Sequence, residues 1–76
     1  MEVPIEVHEA ARDLIELYGF HFMYLGKYEG YDAFLFMFPE DTVTGFPFVY
    51  LYEQSQPVVE ITGFEALHII NHFGLE

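Results

Sequence analysis

Two histidines and a glutamate near the end of the chain form its best set of metal-ligand side chains. Glu65, His68 and His72 are three and four residues apart, so a helix would place all three on one side. Imidazole and carboxylate groups in this arrangement could reach one divalent ion. We call this set the second-helix triplet. Its other interpretation is the polar outer side of a helix, because it lacks a cysteine and an H-E-x-x-H pattern.

Catalytic chemistry has few side chains to use. The chain contains no cysteine, which excludes a thiol nucleophile and a thiolate zinc site. Ser55 is the one serine, and it lies in a predicted hairpin turn without a histidine beside it. The glycines are scattered, and none belongs to a phosphate-binding loop with a lysine. We therefore expect a protein that is not an enzyme and that needs no cofactor.

Five acidic residues lie along the first predicted helix. They are spaced four, three, four and three residues apart, which is typical of one helix face. We call this run the acidic stripe, and one interpretation is that it keeps an apolar chain soluble. The other is a docking surface for a protein partner of basic character. The acidic stripe consists of Glu2, Glu6, Glu9, Asp13 and Glu16.

The overall charge narrows the choice of partners. Thirteen acids and two basic residues give a net charge of −11, so nucleic acid and anionic membrane surfaces are unfavourable partners. No apolar run approaches the roughly 18 to 20 residues that span a bilayer, and the first residues lack the pattern of a signal peptide. The expected location is the cytoplasm.

The elements that must position these residues form a single compact domain over residues 1–76. The 76 residues are 53% hydrophobic, which suffices for one core. The pattern predicts an α+β fold of order α-β-β-β-β-α, with a helix from Pro4 to Gly19 and a second from Gly63 to Phe73. Thr62 and Glu65 suggest a capping box at the start of the second helix. Short connections favour an antiparallel meander, and its predicted strands are Phe20–Lys27, Tyr31–Phe38, Phe46–Glu53 and Val58–Ile61.

The first hairpin decides which side chains share a face. A three-residue loop, Tyr28 to Gly30, is preferred, because a two-residue loop would force Glu29 to a positive φ. The three-residue loop sets Tyr24 opposite Phe34 and separates aromatic from aliphatic side chains. The two-residue alternative would pair Lys27 with Asp32.

On the preferred register both faces of the sheet are apolar. We expect the two helices to cover the aliphatic face together. The aromatic face then needs another cover, which is a second copy of the chain, a bound ligand or protein partner, or another part of the same chain. The aliphatic face holds Met23, Leu25, Leu35, Met37, Val49 and Leu51. The aromatic face holds Phe22, Tyr24, Phe34, Phe36, Phe48, Tyr50 and Tyr52.

Together these patterns predict a small acidic interaction domain that self-associates through the aromatic face and engages a protein partner. The acidic stripe is the candidate surface for a basic partner. The alternative is a small-molecule or metal-binding domain that uses the aromatic face or the second-helix triplet.

Overall fold

The computed structural model describes residues 3–38 and 47–74, and Glu2 and Phe46 lie outside that part. Four antiparallel strands form one sheet in the order β1-β2-β3-β4, with helical segments before and after it. The predicted α+β class, element order and meander are confirmed. The elements are α1 (Ile5–Ala10), α2 (Arg12–Tyr18), β1 (Phe22–Tyr28), β2 (Tyr31–Phe36), β3 (Phe48–Glu53), β4 (Gln56–Thr62) and α3 (Phe64–His72).

The predicted first helix consists of two segments, α1 and α2, joined at Ala11. Helical hydrogen bonding continues across the joint, because Ala11 N donates to Val7 O at 3.0 Å and Ile15 N donates to Ala11 O at 2.9 Å. Gly19 ends the second segment with a φ of 96°. We refer to α1 and α2 together as the first helix.

The turn between β1 and β2 has two residues, so the three-residue prediction is wrong. Glu29 has a φ of 50° and Gly30 a φ of 88°, the left-handed pair of a type I′ turn. Lys27 pairs with Asp32, and Lys27 Nζ lies 3.3 Å from Asp32 Oδ1. The hairpin accepts a strained glutamate that the turn type disfavours.

A β-bulge in β1 restores the predicted register beyond this turn. The pairing shifts between Tyr24 and Gly26, so that Tyr24 faces Phe34 as expected. Gly26 has a φ of 132°, and a Cβ there would lie 3.0 Å from Cε1 of Phe73. Only glycine fits both the backbone and the ring above it. The bulge therefore keeps aromatic and aliphatic side chains on separate faces.

The helices cover opposite faces of the sheet, which corrects the expectation that both lie on one. Val7 and Ala11 of the first helix pack with the aromatic face, whereas Ala66 and Ile69 of α3 pack with the aliphatic face around Val49. Because both faces are apolar, two helices on one face would have left the other in water. One helix on each face covers the centre of both, while Met23 and Met37 of the aliphatic face stay 39% and 38% exposed.

The start of α3 differs from the capping box that Thr62 and Glu65 suggested. Thr62 ends β4, and its Oγ1 donates to Pro47 O at 3.3 Å. Gly63 occupies the N-cap position, without a side-chain cap. Gly74 follows the helix with a φ of 77°. Thr62 therefore links β4 to the chain that leads into β3.

The Glu29→Asn variant should be more stable than the natural protein by about 0.5–1 kcal/mol, because asparagine adopts the left-handed region more easily than glutamate. Urea unfolding measures the difference. Glu29→Gln is the matched control, since it removes the same charge without favouring a positive φ. Equal stabilisation by both variants would show that charge, and not backbone strain, limits the turn.

Candidate interaction surfaces

The acidic stripe lies on the outer side of the first helix. The described acids of the stripe are all exposed, while Val7 and Ala11 on the inner side are buried. The acids point outward because the small and aliphatic residues of the helix recur at helical spacing and face the sheet. The exposed acids are Glu6, Glu9, Asp13 and Glu16.

No ion pair within residues 3–38 and 47–74 involves these carboxylates. The salt bridge found there joins Lys27 to Asp32 at the other end of the sheet. Arg12 is exposed on the same helix and forms no salt bridge in the described part. Like charges three and four residues apart repel each other by a few tenths of a kcal/mol per pair. The first helix therefore holds a line of negative charge that Arg12, three residues after Glu9 and four before Glu16, offsets only in part.

Two aliphatic side chains stand out of this acidic surface. Leu17 is 73% exposed and Ile5 is 63% exposed. Leu17 lies one turn after Asp13, and Ile5 lies one turn before Glu9. Neither belongs to the side chains packed against the core below. The outer side of the helix thus combines carboxylates that form no salt bridge in the described part with exposed apolar groups. We call the four acids together with Ile5 and Leu17 the helix outer face.

The aromatic face is largely core. Phe34, Phe36 and Tyr50 are buried beneath the first helix, and Phe22, Phe48 and Tyr52 are partly buried around them. Tyr24 is the member that remains 43% exposed, at the edge of the sheet. The homodimer stays a prediction, and this intramolecular cover weighs against the aromatic face as its interface.

Two tyrosine hydroxyl groups of this face, those of Tyr50 and Tyr24, donate hydrogen bonds to carboxylates. Tyr50 Oη donates to Glu60 Oε2 at 2.7 Å, across the β3–β4 pair. Tyr24 Oη donates to Asp32 Oδ1 at 2.8 Å. Burial, followed by the hydrogen bond to Glu60 and its charge, raises the pKa of Tyr50 well above its usual range. The hydrogen bond to Asp32 is the main cause that raises the pKa of Tyr24.

The second-helix triplet does not form a metal centre in this structure. Among the described residues, no three histidine, aspartate or glutamate side chains come close enough to hold an ion. The ring of His72 packs against the rings of Tyr28 and Phe73, with centroids 5.1 and 5.0 Å away. Glu65 and His68 instead line a surface opening.

Two openings flank α3, one on each side. The larger, about 450 Å³, has apolar walls that include Met23, Met37 and Ile70, and no charged side chain lines it among the described residues. The smaller, about 240 Å³, has both apolar and charged walls. Only the smaller opening has polar groups that could orient a ligand.

Sequence reasoning missed Glu29, Ile5 and Leu17 as surface features. Glu29 lines the smaller opening because the hairpin turn folds toward α3, which no local pattern reveals. Leu17 and Ile5 look like core residues when helix positions are read as apolar or polar alone. Their helical angle away from Val7 and Ala11 was the available signal.

Comparison of the chain with protein-family models, with curated proteins and with solved structures finds no match in any of the three. In the described ranges no helix has the length and apolar character needed to cross a membrane.

Raising the pH above 10 should destabilise the natural protein more than the Tyr50→Phe variant. In the unfolded chain this tyrosine ionises near pH 10, whereas folded Tyr50 keeps its proton. Above pH 10 the free energy of unfolding therefore falls by about 1.4 kcal/mol per pH unit. Urea unfolding at several pH values between 9 and 11 measures both slopes. Identical slopes would show that the Tyr50 hydroxyl ionises as freely in the folded state.

Proposed function

We propose that the protein is a non-enzymatic interaction domain that binds a basic, amphipathic segment of a protein partner on its helix outer face. The observation that carries this proposal is that carboxylates without a salt bridge in the described part lie on the same surface as exposed aliphatic side chains. Solubility alone would explain the acids. Leu17 and Ile5 are exposed among them and add apolar groups that a partner would cover.

The chemistry of the face specifies the partner. Carboxylates at Glu9, Asp13 and Glu16 would pair with lysine or arginine side chains. Leu17 and Ile5 would bury against apolar side chains of the partner, near the two ends of the first helix. A helix with basic residues beside an apolar stripe presents both groups at matching spacing. The negative field of the whole molecule would speed its approach.

A rigid support favours docking over chemistry. The inner side of the first helix is held against Tyr50, Phe34 and Phe36, so the outer face needs no reorganisation to bind. Ser55 lies in an exposed turn, and its Oγ donates a hydrogen bond to Glu53 Oε1 at 2.9 Å. No hydrogen bond joins it to a histidine among the described residues. These features support a binding role, and we place the protein in the cytoplasm as part of the same proposal.

Binding of a synthetic 18-residue helix of lysine and leucine, with the leucines on one side, tests this proposal. Fluorescence anisotropy should show saturable binding that weakens with added salt, because exposed charge pairs are screened. A peptide of the same composition in scrambled order should bind at least roughly tenfold more weakly, since it cannot present both stripes. Equal binding of the two peptides would overturn the amphipathic partner.

Two double variants with the same change of charge locate the site. Glu9→Lys with Asp13→Lys should weaken peptide binding at least roughly tenfold, as expected for two charge pairs of up to about 1 kcal/mol each that become repulsive. Glu29→Lys with Glu65→Lys, on the other side of the sheet, should weaken it by less than about threefold through the overall field alone.

The single variant Leu17→Ser separates the apolar contribution. It should change stability by less than about 0.5 kcal/mol, because the side chain is exposed, yet reduce peptide binding severalfold. Equal weakening by the two double variants, or unchanged binding by Leu17→Ser, would contradict the helix outer face as the docking site.

A further inference from the structure

The smaller opening beside α3 has the form of a small ligand site. Its volume of about 240 Å³ lies between α3 and the turn that joins β1 and β2. The volume per water molecule in the liquid is about 30 Å³, so the opening accommodates roughly eight non-hydrogen atoms. Leu51 and Ile69 are buried side chains at its floor, and Ile61 is a partly buried one.

The rim of this opening carries negative charge without a positive counterpart. Glu29 approaches from the turn, and Glu65 lies on the first turn of α3, and both are exposed. The two basic residues of the chain are elsewhere: Lys27 pairs with Asp32, and Arg12 belongs to the first helix. His68 and Tyr28 complete the lining. A bound cation would therefore meet two carboxylates and no repelling lysine or arginine.

We propose that this opening binds a primary alkylammonium group. An aliphatic chain of four or five carbons would lie on Leu51, Ile61 and Ile69, and the removal of its surface from water would favour binding. The ammonium group has three N–H donors, which match the oxygens of Glu29 and Glu65. Tyr28 also lines the opening.

Charge complementarity selects this occupant over others of similar size. A carboxylate or phosphate ligand would face two negative side chains and a molecule of net charge −11. A neutral alcohol of equal length would gain the apolar contact but leave the carboxylates unpaired. A bare divalent ion would gain nothing from the apolar floor, and the described residues form no metal cluster. The proposal is independent of the helix outer face, which lies on the other side of the sheet.

Nuclear magnetic resonance titrations with n-butylamine test the proposal on the intact protein. The amine should shift signals of Tyr28, His68 and Ile61 in a saturable way. Butan-1-ol should shift them at least roughly tenfold more weakly, because it lacks the charge-assisted hydrogen bonds. Equal shifts from the alcohol and the amine, or shifts spread over the whole surface, would overturn the site. This arm needs no variant, so it holds whatever happens to the fold of any mutant.

A matched pair of variants separates the site from the general negative field. Glu29→Gln with Glu65→Gln should weaken n-butylamine binding roughly tenfold, because both ion pairs are lost. Glu9→Gln with Asp13→Asn removes the same charge from the first helix and should weaken it by less than about twofold. Equal weakening by both pairs would overturn the site in favour of diffuse attraction.

Two further probes identify the source of the ammonium group. Tighter binding of 1,4-diaminobutane than of Nα-acetyl-lysine amide would indicate a free diamine. The reverse order would indicate a lysine side chain of a protein partner. Either order supports the alkylammonium chemistry, and failure of both probes to bind would contradict it. Loss of this binding would leave peptide docking on the first helix unaffected, so the two proposals fail separately.

Discussion

Val7 and Ala11 lie against the rings of Phe34, Phe36 and Tyr50, and this contact turns one face of the sheet into core. Large rings fill most of the space above the strands, so the helix that covers them must present small side chains there. The chain meets this need by placing its bulkier first-helix residues, such as Tyr18, farther along, where Tyr18 meets Phe38 edge to face at 5.1 Å. The acids of the same helix are thereby held outward on a rigid support.

A helix covers the centre of each face of the sheet, and some of its apolar side chains, such as Met23 and Tyr24, remain exposed. Its two edge strands carry features that discourage pairing with another strand: the bulge at Gly26 and the exposed Lys27 on β1, and Pro57 on β4. The two binding sites that we propose therefore lie on the first helix and at the opening beside α3. The helix outer face is an extended surface of the kind that binds a macromolecule, while the opening beside α3 is small and partly open to solvent. Their different shapes favour different ligands that share positive charge.

Local patterns predicted most of the fold, because alternation along strands and spacing along helices act over a few residues. Local patterns did not predict which face of the sheet each helix covers, because both faces are apolar and either could receive either helix. The first hairpin shows a second limit. A two-residue turn with Glu29 at positive φ and a bulge at Gly26 together give the register that a three-residue loop was expected to give. At the bulge, Gly26 lies beneath the ring of Phe73, which directly follows α3, a contact that sequence spacing does not reveal.

Native-state hydrogen exchange tests most directly whether the first helix is a permanent cover. The amides of Ala11 and Ile15 bond across the joint between its two segments, and that of Tyr50 lies in a central strand. If the cover is permanent, the first two should exchange with opening free energies within about 1 kcal/mol of that of Tyr50, because all would open together in global unfolding. Free energies near zero for Ala11 and Ile15 beside a protected Tyr50 would mean that the helix detaches. The aromatic face, and not the helix outer face, would then be the surface exposed for binding a partner.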